Sequence, residues 1–197
     1  MSLLIAMFSF SLAMSISPGP VNMVIVSSGA NYGIRRTFLF VSGGTIGFTL
    51  LLLFIGLGFS KVIDSYPYFL KYLAVFGSLF IVYMGYKIAT STPELTIKAH
   101  QQPTFMQGFL LQWLNPKAWV ACLAGVSLFS VPNSHQQLFI FSLVYFLVCY
   151  LSLFTWSVLG NKAATLLNSN RRLRYFNYLM GGGLIMTSCF LLSTQFL

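Results

Sequence analysis

Long apolar stretches separated by short polar connections run along the whole chain. A helix that crosses a bilayer needs about 20 mostly apolar residues, and the pattern predicts six such helices. The predicted spans are Leu3–Ala30, Phe38–Ile63, Pro67–Ala89, Phe105–Val131, Gln137–Gly160 and Tyr175–Leu197. Because the connections are short, the pattern favours a single polytopic all-α transmembrane domain over residues 1–197.

The composition supports a membrane protein. Of the 197 residues, 57% are hydrophobic and only 7% are charged, whereas a soluble domain has about 25% charged residues. The net charge of +9 would suggest nucleic acid in a soluble protein. Here the basic residues lie mainly at the edges of the apolar runs, as membrane topology requires. We therefore expect the lipid bilayer as a partner, and no nucleic acid.

The basic residues are divided unequally between the two sides of the membrane. One side receives only Lys61 and Lys71. The other receives eight residues, namely Arg35, Arg36, Lys87, Lys98, Lys162, Arg171, Arg172 and Arg174. The positive-inside rule then places both termini outside the cytoplasm. No Lys or Arg precedes Arg35, so we expect a retained first span rather than a cleaved signal peptide.

Prolines interrupt the first and fourth spans near their middles, in the segments Ser17–Pro20 and Asn115–Lys117. Proline lacks a backbone N–H and clashes with the preceding turn, so it frees carbonyl groups there. Within hydrocarbon such groups must face protein or a water-filled cavity. A single proline is often only a kink. Two prolines around a glycine, repeated as Asn-Pro in the fourth span, favour helix breaks at a binding site.

The paired breaks indicate two inverted repeats of three helices, over about residues 3–90 and 105–197. Two halves with an odd number of spans insert with opposite topology, and broken helices at corresponding positions mark the binding site of many transporters. The segments 71–80 and 177–186 share Tyr, Leu and Gly in register. The predicted fold is therefore six spans in two inverted repeats, with helices 1 and 4 broken at proline.

The breaks suit an amino acid zwitterion. New half-helices are expected near Val21 and Ala118, and their positive N-terminal ends would attract a carboxylate. The freed carbonyls would accept hydrogen bonds from an ammonium group. The candidate substrate-binding residues are Ser17, Pro18, Gly19, Pro20, Asn22, Gln112, Asn115, Pro116 and Lys117.

Lys117 has two interpretations that the sequence leaves open. If the fourth span begins at Phe105, Lys117 lies about 18 Å along the helix, near the bilayer centre. An ionisable residue there is a functional candidate, and it would be a counter-ion for a substrate carboxylate. If the span begins near Leu110, Lys117 instead extends to the cytoplasmic surface.

No pattern points to catalysis, a metal or a cofactor. Cys122, Cys149 and Cys189 lie within apolar runs and are interpreted as small hydrophobic residues. Both acidic residues, Asp64 and Glu94, lie in connections, so no carboxylate lies within a span. We expect no enzyme, and any pumping must draw on an ion or substrate gradient because no ATP-binding element is visible.

The glycines of the second span form a G-x-x-x-G pattern, from Gly43 to Gly47. This pattern lets two membrane helices touch closely. It fits packing within the chain, and it also leaves a homodimer contact open.

The two proline segments also carry a family resemblance. The stretch "SPGPVNMVIVSSGANYGIRRTF" (17–38) resembles the first signature of the lysine exporter (LysE) superfamily, homoserine/threonine exporter (RhtB) branch. The stretch "FMQGFLLQWLNPKAW" (105–119) resembles its second signature, and 72–88 resembles its third span. The resemblance implies an exporter of amino acids in the bacterial inner (plasma) membrane, driven by the proton-motive force. Pro18, Gly19 and Pro20 match the first motif, and Asn115, Pro116 and Lys117 match the second.

One departure narrows the expected substrate. Many relatives carry an aspartate in the fifth span, and this chain has none there. That absence resembles the cysteine/O-acetylserine exporter subgroup, which implies small neutral amino acids or their derivatives as substrates. The rival hypotheses are a passive channel for small solutes and a structural membrane subunit without transport of its own.

Overall fold

A computed structural model describes residues 2–59, 68–91, 102–130, 135–167 and 169–196. These residues contain eight α-helices and, directly after α3, a short π-helical segment at Ile55–Phe59. The helices are α1 Ser2–Ile16, α2 Pro20–Tyr32, α3 Ile34–Phe54, α4 Phe69–Ala89, α5 Phe105–Trp113, α6 Pro116–Phe129, α7 Gln136–Leu166 and α8 Asn170–Phe196. The predictions for Asp64, Glu94, Lys61 and Lys98 fall outside the described residues.

Within the described residues, three helical segments are each long and apolar enough to cross a bilayer, namely Ile34–Gly58, Lys71–Ala89 and Gln136–Leu166. The pair α1 and α2 would make a fourth span with a bend of 62° between its halves. The apolar helix α6 is shorter, at 14 residues. The regular secondary structure of the described residues is therefore all helical, as expected of an all-α membrane protein, and predicted helices 1 and 4 are broken. The arrangement of six spans in two inverted repeats stays a prediction.

The connections are shorter than the hydropathy pattern predicts. Helix α7 continues to Leu166, past the predicted end at Gly160, and α8 begins at Asn170 rather than Tyr175. Hydropathy marks the part of a helix that lies in lipid, whereas backbone hydrogen bonds continue the helix through polar residues beyond it. Between α2 and α3 only Gly33 is non-helical, and its φ of 78° lies in the left-handed region that glycine adopts readily.

Small residues bring the helices into close contact. A Cβ atom on Gly43 would overlap the carbonyl of Phe105, and one on Gly108 would overlap the carbonyl of Phe40. Gly47 likewise faces the backbone of Phe109. The G-x-x-x-G pattern of α3 therefore packs against α5 within the chain.

Helix α2 lies inside the bundle, in contact with α3, α7 and α8. Its C-terminal end is held by a pair of asparagine side chains. Asn31 donates to Asn177 Oδ1 at 2.7 Å, and Asn177 donates back to Asn31 Oδ1 at 3.0 Å and to Ser91 Oγ at 2.8 Å. Because Asn177 is fully buried, this network fixes α2 against α8 and the end of α4.

Candidate functional site

The first helix break lies where the prolines predict it. Helix α1 ends at Ile16 and α2 begins at Pro20, one residue before the predicted start at Val21. Gly19 occupies the N-cap position in an extended conformation, with φ −169° and ψ 177°, and makes no side-chain cap. The first N–H groups of α2 therefore receive no capping side chain from this position, and this end carries the positive pole of the helix dipole.

Side chains beside the first break bind several of its carbonyls. The hydroxyl of Ser17 donates to the Met14 carbonyl at 3.0 Å, which is a carbonyl that Pro18 frees. The amide of Asn22 reaches back and donates to the carbonyls of Ser15 at 3.1 Å and Ser17 at 3.0 Å. The break is thus held in its non-helical shape by polar residues of the same segment.

At the second break, the backbone carbonyls accept hydrogen bonds from residues of the same segment. Helix α5 ends at Trp113 and α6 begins at Pro116, two residues before the predicted Ala118. The N–H of Asn115 donates at 3.2 Å to the Gln112 carbonyl, which is the carbonyl that Pro116 frees. The indole of Trp119 donates to the Trp113 carbonyl at 2.7 Å.

Asn115 also caps α6, because its Oδ1 accepts from the N–H of Lys117 at 3.1 Å and its carbonyl accepts from the N–H of Ala118 at 2.9 Å. The sequence predicted an anion site at both half-helix N-termini. At α6 the first N–H groups already have acceptors, so the α2 end is the better anion site of the two.

The two breaks meet at Lys117. Its ammonium group donates to the Ser17 hydroxyl at 2.8 Å, to the Ser17 carbonyl at 3.1 Å and to the Pro18 carbonyl at 3.1 Å. An ammonium has three donor hydrogens, and here three acceptors surround it. The side chain therefore points into the first break, as the counter-ion interpretation expects, while the depth of Lys117 in the bilayer stays a prediction. Helix α5 begins at Phe105, as the first interpretation assumed.

The close approach of the breaks depends on two glycines. A Cβ atom on Gly19 would lie 3.2 Å from the ammonium nitrogen of Lys117. On α4, a Cβ atom on Gly77 would overlap the carbonyl of Leu114, at the second break. A larger residue at either position would therefore displace the groups that meet here.

A small cavity of about 40 Å³ lies beside the contact between the breaks. That volume is enough for a few water molecules. Six of the predicted site residues line it, namely Gly19, Pro20, Asn22, Gln112, Asn115 and Lys117. Ser17, Pro18 and Pro116 belong to the breaks but do not line the cavity. Ser17 and Pro18 contribute through the groups that bind Lys117.

Sequence reasoning missed the wall of the cavity that α3 and α7 supply. Phe48 of α3 stacks on Tyr145 of α7 with ring centroids 4.2 Å apart, and both line the cavity together with Cys149 and Leu153. The interpretation of Cys149 as a small hydrophobic residue did not predict that it lines this cavity. A signal was present, because the buried residues Ser142, Tyr145, Cys149 and Ser152 recur every three or four positions on α7.

Discontinuous membrane helices that meet beside a cavity are typical of secondary transporters. The chain belongs to the LysE family, since the family model for the LysE type translocator matches residues 12–195. The family that the two proline segments predicted is therefore confirmed.

Curated relatives agree with this assignment. The chain is 33% identical over 136 residues to proteins named cysteine/O-acetylserine efflux protein from Escherichia coli K12 and Shigella sonnei. It is 31% identical over 135 residues to the protein of that name from Escherichia coli O1:K1 / APEC. Each alignment covers 68% of this chain and 68% of the relative. No solved structure matches the chain.

Proposed function

We propose that this protein exports small neutral amino acids or their derivatives, of the cysteine and O-acetylserine type, from the cytoplasm across the bacterial inner membrane. Membership in the LysE family and the names of the curated relatives support export and the substrate class. The observation that carries the proposal is the meeting of the two helix breaks at Lys117, beside a cavity lined by both polar and apolar residues.

The substrate would bind by replacing Lys117 as the hydrogen-bond donor to the carbonyls of the first break. In the present structure the Lys117 ammonium holds the carbonyls of Ser17 and Pro18. A zwitterion inserted between them would offer its own ammonium to these carbonyls. Its carboxylate would then accept hydrogen bonds from Lys117 and from the first N–H groups of α2. A zwitterion adds no net charge, so this exchange keeps the charge of the site constant.

The cavity favours a neutral side chain. Among the residues that line it, Lys117 is the one with a charged side chain. A second charge on the substrate would be buried without an opposite charge nearby, which is costly in a low-dielectric site. Side chains such as those of lysine or glutamate are therefore disfavoured.

Access to the site would alternate between the two sides of the membrane, by movement of two inverted three-helix halves. In the predicted topology the Asn31–Asn177 pair lies on the cytoplasmic side of the breaks. A cluster of Phe10, Phe129 and Phe141, with ring centroids 4.8 to 6.0 Å apart, lies on the external side. Opening one set of contacts at a time would connect the cavity to one side only.

We assign the driving force to the proton-motive force. The described helices contain no Asp or Glu, so a proton would need a carrier other than a carboxylate within them. Lys117, Tyr145 and Cys149 are the titratable residues that line the cavity.

The test uses inside-out membrane vesicles from cells that produce the protein, because export then appears as uptake. Radiolabelled serine, cysteine and O-acetylserine are supplied outside, and the lumen is acidified by respiration. We expect uptake above that of vesicles without the protein, and we expect a protonophore to abolish the excess. Uptake that ignores the pH gradient would indicate a channel, and the absence of any amino acid uptake would contradict export.

A paired variant tests the site itself. Replacement of both Pro18→Ala and Pro20→Ala should allow α1 and α2 to join into one continuous helix, since the missing N–H groups are restored. We expect the variant to insert into the membrane but to lose uptake. Undiminished uptake would contradict a binding site at the break.

A further inference from the structure

The hydroxyl of Ser15 is a buried polar group that lacks a partner. Ser15 is 7% exposed and lines the cavity, and its Oγ makes no hydrogen bond with any residue that the structure describes. The Ser15 carbonyl, in contrast, accepts from Asn22. A buried hydroxyl without a hydrogen bond costs free energy, so a ligand or water in the cavity is needed to satisfy it.

Ser15 lies in a small polar cluster at one wall of the cavity. Its hydroxyl has the phenol of Tyr145 and the thiol of Cys149 as close polar neighbours, but neither contact has the distance and angle of a full hydrogen bond, and both of these residues line the cavity. The hydroxyl of Thr45 is a close neighbour of Cys149 but does not line the cavity, and it likewise makes no hydrogen bond of full geometry with a described residue. A hydroxyl, a phenol and a thiol thus line the same wall of the cavity, with Thr45 beside the thiol.

Apolar side chains form the rest of that wall. Phe48, Leu153, Ala118 and Ala121 line the same cavity. Ser15 belongs to the last turn of α1, while Ser17 and Pro18 of the following break bind the Lys117 ammonium. A substrate held at Lys117 by its carboxylate would therefore have only a short side chain to place against Ser15.

We propose that the Ser15 hydroxyl, supported by Tyr145, Cys149 and Thr45, selects substrates whose short side chain carries an oxygen or sulfur atom that can hydrogen-bond with it. The proposal rests on the proposed function and specifies how the same site distinguishes among small neutral amino acids. Serine or cysteine would complete the hydrogen bonding of Ser15. Alanine or 2-aminobutyrate would leave it unpaired, and a site built for a hydrogen bond rejects such analogues strongly.

The experiment measures competition in the same inside-out vesicles. Unlabelled serine or alanine is added against radiolabelled serine, and the ratio of their half-inhibitory concentrations is determined. We expect the wild-type protein to favour serine about tenfold, which corresponds to a hydrogen bond of about 1.4 kcal/mol. Ser15→Ala should bring the ratio close to one while uptake continues. Ser15→Thr, which keeps a hydroxyl, should retain most of the preference.

The chain offers a matched control on the same helix. Ser11 is also fully buried, but its hydroxyl already donates to the Met7 carbonyl at 2.7 Å. Ser11→Ala should therefore leave the ratio unchanged. Thr45→Val is a second variant, and it preserves the shape of the side chain, so the fold is expected to persist. Like Ser15→Ala, it should lower the preference for serine over alanine.

Three results would count against the inference. Equal inhibition by serine and alanine in the wild-type protein would show that Ser15 is satisfied by water alone. An unchanged ratio in both Ser15→Ala and Thr45→Val would remove the cluster from substrate selection. In either case continued uptake would leave the proposed function intact. The absence of amino acid uptake would overturn the proposed function, and this inference with it.

Discussion

At the scale of single residues, Lys117 joins the two helix breaks. It binds Ser17 and Pro18, which lie 100 and 99 positions before it in the chain. Its position in the sequence identified it as unusual, because an ionisable residue near the centre of a span is rarely without a role. The sequence could not say where the side chain points, since that depends on how the first span packs against the fourth. The structure answers this through the hydrogen bonds to Ser17 and Pro18.

Lys117→Met removes the ammonium and keeps a long unbranched side chain. We expect transport efficiency in vesicles to fall about 10- to 100-fold, because a hydrogen bond to a charged group contributes about 1.5–3 kcal/mol. Lys162→Met is the control, since Lys162 is exposed near the end of α7. An unchanged rate and apparent affinity in Lys117→Met would exclude Lys117 as the counter-ion.

At the scale of helices, the breaks were predictable from the prolines, but their details were not. The half-helices begin at Pro20 and Pro116 rather than at Val21 and Ala118, because proline is favoured at the first helical position, where its missing N–H costs nothing. The role of Asn115 as a cap was also missed. Its Oδ1 binds the backbone N–H of Lys117, while the residue also lines the cavity, so its assignment to the substrate stays a prediction.

Helix α4 supports the second break through Gly77, and this contact can be tested. Ala normally stabilises a helix relative to Gly by up to about 1 kcal/mol. At Gly77 the added Cβ would overlap the Leu114 carbonyl, so we expect Gly77→Ala to lower the melting temperature in detergent and to reduce uptake.

Gly182→Ala on α8 is the matched control, because a Cβ there would meet no atom of the described structure within 4 Å. It should leave stability unchanged or raise it. Equal effects of the two substitutions would contradict the packing of α4 against the second break.

At the scale of the whole molecule, the sequence predicted an all-α membrane protein and its family, and both are confirmed. It could not predict which helices complete the site. The buried stripe on α7 that includes Tyr145 and Cys149 has the spacing of one helix face, but such a stripe is equally compatible with packing against any neighbour. Only the fold brings that face to the breaks, and hydropathy alone misplaced several helix ends.

The central claim is that substrate binds between the two breaks, and protection of a single cysteine tests it most directly. The three native cysteines are replaced, export is verified, and Ala118→Cys is introduced because Ala118 is buried and lines the cavity. Labelling by a membrane-permeant maleimide is then timed with and without substrate. Thr90→Cys, at an exposed position directly after α4, is the control. We predict that serine slows labelling of Ala118→Cys and leaves Thr90→Cys unaffected. Labelling of Ala118→Cys at the same rate with and without transported substrate would contradict the account.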